Sequence, residues 1–247
     1  PWLDLAAALE FQGKTAEAEK CLNRADYLAP NVASVQWAVG NFFLLHGNTA
    51  EAFRHFKAVL AGSTRYNPQI FSIAWKASDD GDFILERLLP RRLQTEVDYL
   101  YYLVSKKLYS DAFKVWKRIA SSSETVVPQR MSGYMDNLIR AGRPAEAFEA
   151  WSDLRNRGLI KATYTGSKAS LLLNGDFEED LLNMGFDWRI IPLESAFTGI
   201  DRTTYRSARS ALLVQFSGKE NLEYRHVYQW VKVTPGRAYR LYGYMRA

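Results

Sequence analysis

The segment Gly13-Lys14-Thr15-Ala16-Glu17-Ala18-Glu19 returns 34 residues later as Gly47-Asn48-Thr49-Ala50-Glu51-Ala52-Phe53. A fixed period of that length marks stacked supersecondary units, each too small to bury its own apolar face. Around each copy the apolar residues keep a helical period, and the glycine ends the first helix, where a left-handed residue is needed. Small residues at Ala6, Gly40, Ala18 and Ala52 let the paired helices approach, while Leu9, Phe43, Leu22 and Phe56 fill the groove between them.

Further along, the pattern loosens. Gly81 lies another 34 residues on, followed by the apolar segment Phe83 to Leu89 and closed by Pro90. Ser110 to Trp116 then matches Ala145 to Trp151 at a spacing of 35, and Pro144 suits a first helical turn, where its missing N–H costs nothing. About four helix pairs are expected between residues 1 and 157. The period, with Trp2, Leu5, Ala6, Leu9, Ala18, Leu22 and Pro30 in the first copy, resembles the tetratricopeptide repeat. That resemblance implies an α-helical solenoid whose concave face is lined by first-helix side chains, here Trp37 and Asn41. The face is expected to be a groove for a protein partner, with a spacer between neighbouring domains as the alternative.

From Gly158 the helical period stops, and residues 158–169 read as a linker. Beyond them apolar residues alternate, with turns about every ten residues, which predicts an antiparallel β-sandwich over 170–247. In the strand Tyr224 to Val233, one face carries Tyr224, His226, Tyr228, Trp230 and Lys232, and the other Arg225, Val227, Gln229, Val231 and Val233. Thr234-Pro235-Gly236 turns into a partner strand, Tyr239 to Met245, and Ala211 to Phe216 is a third. The expected fold class is therefore α plus all-β in two domains, a helical solenoid over 1–157 followed by the sandwich.

Leu173-Asn174-Gly175-Asp176-Phe177-Glu178 resembles the opening strand of jelly-roll carbohydrate-binding modules, as does the Gln229 strand followed by Pro235-Gly236 and Tyr239-Arg240-Leu241. The resemblance covers half of a jelly roll, so the sandwich reads as truncated. The whole layout, including Gly185-Phe186-Asp187-Trp188-Arg189, resembles a group of bacterial repeat proteins associated with envelope and exopolysaccharide functions. It implies a polysaccharide ligand. Flat aromatic rings stack on the C–H face of a pyranose, which makes Trp188, Tyr224, Tyr228, Trp230, Tyr242 and Tyr244 the candidate glycan-binding residues. Packing of the same rings in a core is the alternative. The resemblance also makes Asp176 and Glu178 candidates for a structural calcium, a hard cation that takes carboxylate oxygens.

Other chemistry finds little footing. The net charge is +5, but Lys and Arg alternate with Asp and Glu, as expected of a solvated helix surface rather than a nucleic-acid face. Cys21, the single cysteine, falls at an apolar-periodic helix position. Gly13-Lys14-Thr15 imitates the end of a phosphate loop, yet Ala8 stands where its first glycine belongs. The histidines His46, His55 and His226 lack metal spacing, and no Gly-x-Ser-x-Gly occurs. No apolar run approaches the ~18 residues of a membrane span, and both ends, at Pro1 and inside the last strand pattern, read as cut. The expected role is a non-enzymatic scaffold or adaptor, periplasmic or envelope-associated, with the cytoplasm as the alternative compartment. A binding appendage of a carbohydrate-active enzyme, its catalytic domain outside this chain, is the competing expectation.

Overall fold

The computed structural model describes residues 1–164, 170–206 and 209–247, so positions 165–169 of the expected linker lie outside the described residues. The chain divides into two compact units, Pro1–Val126 and Val127–Ala247, a boundary one helix pair ahead of the change of period at residue 158. Among the described residues there are ten α-helices, hence five pairs where the period suggests about four.

The first unit holds α1 (Trp2–Phe11), α2 (Thr15–Leu28), α3 (Ala33–Leu45), α4 (Thr49–Gly62), α5 (Asn67–Ala77), α6 (Gly81–Arg87), α7 (Leu93–Ser105) and α8 (Tyr109–Ala120). Two of these helices start at a side-chain cap. Asn48 caps α4 by accepting from Glu51 N at 3.2 Å, and Asp80 Oδ1 caps α6 by accepting from Asp82 N and Phe83 N, both at 3.0 Å.

Hairpin turns share one geometry. After α1, Gly13 takes φ +72° and the next N–H, from Lys14, donates to Leu9 O at 2.9 Å; Gly47 repeats this after α3, where Asn48 N donates to Phe43 O. These are Schellman closures, which satisfy last-turn carbonyls. After α7 the same place is held by Lys107 at φ +60°, with Leu108 N donating to Leu103 O at 2.9 Å. A side chain there carries a left-handed penalty that glycine avoids. Lys107→Gly is therefore expected to stabilise the unit by about 0.5–1 kcal/mol, read as a higher urea midpoint at unchanged slope.

The core of this unit follows the small–large pairing of the repeat. Ala6, Ala18 and Ala52 are buried, and the Phe56 ring lies over Gly40, where a Cβ would come within 2.6 Å of Cε1. One polar chain crosses this apolar packing from α2 to α4. Arg54 Nη2 donates to His55 Nε2 at 2.7 Å, His55 Nδ1 donates to Gln36 Oε1 at 2.7 Å, and Gln36 Nε2 donates to Asp26. Burial, reinforced by the Arg54 guanidinium, holds the His55 pKa below the ordinary imidazole value, which keeps Nε2 free to accept. Farther along, Arg118 of α8 donates to buried Glu96 of α7 at 2.6 Å and to the carbonyls of Leu85 (2.6 Å) and Leu89 (2.8 Å) at the end of α6.

The second unit opens with a 3-10 turn (Pro128–Met131) and the hairpin α9 (Ser132–Arg140), α10 (Pro144–Asn156), closed by Gly142 at φ +75°. Four short strands follow: β1 (Arg189–Ile190), β2 (Ala196–Asp201), β3 (Ala211–Phe216) and β4 (Val227–Tyr228). β2 and β3 pair antiparallel from Ala196↔Phe216 to Asp201↔Ala211, and β1 pairs with β4 through Arg189↔Tyr228 and Ile190↔Val227.

The expected antiparallel sheet is met in part. The strand at 211–216 is present, but the described residues form two separate two-stranded ladders and no closed sandwich. Of the strand read over 224–233 only Val227–Tyr228 is laddered, and 239–245 carries no ladder. Alternation gives a segment two faces but supplies no partner strand, and a ladder needs both.

What organises this unit instead is contact with the helical hairpin. Gly185, at φ +54°, lies flat against Trp151 of α10, and Phe186 meets Phe148 edge to face at 5.1 Å. Arg189 pairs with Asp136 of α9 and donates to Asn183 O at 2.9 Å. Asn174, 3% exposed, knots the neighbouring loop: its side chain exchanges hydrogen bonds with the backbone of Glu179, and its carbonyl accepts from Trp188 Nε1 at 2.9 Å. The Gln229 amide then stands in for a strand, donating to Leu173 O at 2.8 Å and accepting from Leu173 N at 3.1 Å.

Candidate functional site: an aromatic cleft with two cations

Two turns of α10 place Phe148 and Arg155 on one face of the helix, seven residues apart. That face forms one wall of a cleft of about 620 Å³ within the second unit. Phe186, buried by its contact with Phe148, lines the cleft with Leu173. Tyr164 and Thr163 border it, and Trp230 and Lys232, two residues apart on one side of an extended segment, complete it. Trp230 is 46% exposed.

The two cations rest on aromatic rings rather than on acids. Lys232 Nζ lies 4.6 Å from the Phe148 ring centre and the Arg155 guanidinium carbon 5.2 Å from that of Tyr164. Among the described residues neither meets a carboxylate. Elsewhere in this unit Arg189 pairs with Asp136, Arg143 with Glu146 and Arg202 with Asp180. Cation–π contacts of about 0.5–1 kcal/mol at exposed sites hold Arg155 and Lys232 in place while leaving most of their N–H donors open.

The aromatic residues singled out in the sequence are spread over several places. Trp230 lines the cleft, and Tyr228 meets it edge to face at 5.9 Å. Trp188 packs on Phe177 at 5.1 Å with its N–H already spent on Asn174. Tyr224 packs edge to face on Phe216 at 5.2 Å, its hydroxyl joined to Thr198. Tyr242 and Tyr244 are exposed, under Arg240 and Arg206 respectively. In the first unit, Trp37 is stacked on Tyr66 at 5.1 Å and tilted on Phe56 at 5.5 Å, and Asn41 donates to Trp37 O at 2.8 Å.

Asp176 and Glu178 line a smaller pocket of about 140 Å³ with Thr163, Tyr164, Asn174 and Glu179. Glu178 is already engaged. Its carboxylate accepts from Arg209 N at 2.7 Å and Ser210 Oγ at 2.9 Å, which holds its pKa below the usual carboxylate range. Among the described residues no three His, Cys, Asp or Glu side chains are grouped to hold a metal ion, and no helix is long and apolar enough to cross a membrane.

Sequence reading missed Phe148, Arg155, Tyr164 and Phe186. The i, i+7 spacing of Phe148 and Arg155 was a usable signal, whereas the approach of Phe186 and Tyr164 is tertiary and leaves no periodic mark. No family model matches the chain, and no curated protein matches it.

Proposed function

We propose that this protein is a non-enzymatic scaffold in which tetratricopeptide-like helical repeats dock a protein partner and the 127–247 unit binds polysaccharide. The observation that carries the glycan half is the cleft, where exposed Trp230 stands beside Phe148 and Phe186 with free donors from Arg155 and Lys232 nearby. Aromatic faces stack on sugar C–H patches, and convergent donors fix hydroxyls, which is the composition expected of a ligand cleft. The regular hairpins, with their repeated left-handed closures, support the repeat reading. The half jelly roll belongs to the same proposal, resting on the motif at residues 173–178. So does a place in bacterial envelope or exopolysaccharide assembly, which rests on resemblance of the layout.

The test is binding of the full chain to a panel of neutral and acidic bacterial polysaccharides by affinity electrophoresis, with Trp230→Ala beside it. Retardation by at least one polymer, weakened about tenfold by Trp230→Ala, is the expected result. Absence of retardation by every polymer would leave a scaffold that binds protein alone.

A further inference from the structure

We propose that the ligand of the cleft is an acidic sugar unit, a hexuronate within a polysaccharide chain, stacked on Trp230 with its carboxylate held by Arg155 and Lys232. This rests on reading the cleft as a polysaccharide site and adds the charge of the sugar. A neutral sugar uses the aromatic faces and leaves two cations without a counter-charge. A carboxylate uses both, and the guanidinium fork of Arg155 suits bidentate pairing with its two oxygens.

The cations are poised rather than committed. Each lies over an aromatic ring, Lys232 on Phe148 and Arg155 on Tyr164, so a carboxylate has no competing acid to displace. A group of acids borders the cleft, already engaged in part within the protein. Asp176, Glu178 and Glu179 line the small pocket that shares Thr163 and Tyr164 with the cleft, and Thr163 Oγ1 donates to Glu179 at 2.8 Å.

The decisive comparison uses the full chain and three probes: polygalacturonate, the same polymer with its carboxylates reduced to alcohols, and polyglutamate as a carboxylate polymer without sugar. Variants are Arg155→Gln, Lys232→Gln and Trp230→Ala, with exposed Lys20→Gln of the first unit correcting for the change in net charge. The proposal expects polygalacturonate to bind at least tenfold more tightly than either other probe. Arg155→Gln and Lys232→Gln should each weaken it at least fivefold without altering binding of the reduced polymer, Trp230→Ala should weaken both sugar polymers, and Lys20→Gln should change nothing. Equal affinity for the acidic and reduced polymers overturns the acidic-sugar inference and leaves the polysaccharide reading standing. Equal affinity for polyglutamate, or an equal loss with Lys20→Gln, reduces the effect to bulk charge and overturns it as well. Failure of both sugar polymers to bind overturns the inference and removes its premise.

Discussion

Replacing Arg118 by methionine is expected to remove about 3–5 kcal/mol from the stability of the Pro1–Val126 unit, the cost of stranding one partner of a buried ion pair. Glu96 is 2% exposed, and Arg118 supplies the charge that compensates it while also satisfying Leu85 O and Leu89 O. Methionine keeps much of the volume and removes every donor. Two further measurements separate charge from packing. In Arg118→Met/Glu96→Leu no buried charge is left, so most of the loss should return. The second is pH. Burial already pushes the Glu96 pKa up, against the pull of Arg118, so the folded state binds the proton more readily than the unfolded chain. Without Arg118 that difference grows, and the variant gains stability relative to wild type as pH falls toward and below the raised pKa. Urea midpoints at pH 7.5 and 4.5 should show the smaller deficit at pH 4.5. A deficit independent of pH would place the loss in packing.

The other large effect belongs to a single methyl group. Gly185→Ala is expected to destabilise the Val127–Ala247 unit by about 2–4 kcal/mol, from a left-handed backbone penalty of about 1 kcal/mol and an overlap costing about 1–3 kcal/mol. A Cβ at this position falls within 2.6 Å of Trp151 Cζ3 and closer still to Cε3, and Trp151 is fully buried. Hydrogen exchange should report the loss as faster exchange in α10 and in residues 183–189. Gly185→Asn distinguishes the causes, since asparagine tolerates the left-handed region but still carries the Cβ. It should be no better than alanine if overlap dominates, and clearly better if backbone strain does.

These two sites mark how far the sequence could be read. The helices and their closures were legible because their causes are local: Gly13 and Gly47 end helices wherever they are placed, and Asn48 caps the helix that follows it. Lys107 shows the limit even there, holding a glycine conformation without the glycine, kept by the closure around it. The partner of Arg118 lies 22 residues away and its carbonyl acceptors about 30, distances at which no period links them. Gly185-Phe186-Asp187-Trp188-Arg189 stood out as a motif, but its use, laying Gly185 and Phe186 on α10 and sending Arg189 to Asp136, depends on tertiary approach. The strand pattern over 224–233 misled for the same reason, because alternation describes one segment and pairing requires two. Of the cleft, the sequence singled out Trp230, while Arg155 left only its helical spacing from Phe148.

The amide of Gln229 has a bearing on how this chain behaves in company. Its two hydrogen bonds occupy both the donor and the acceptor of Leu173, the backbone groups that an incoming strand from another molecule would otherwise seize. A side chain is a poor template: it offers one amide where a strand offers a row, so pairing that reaches Leu173 stops there.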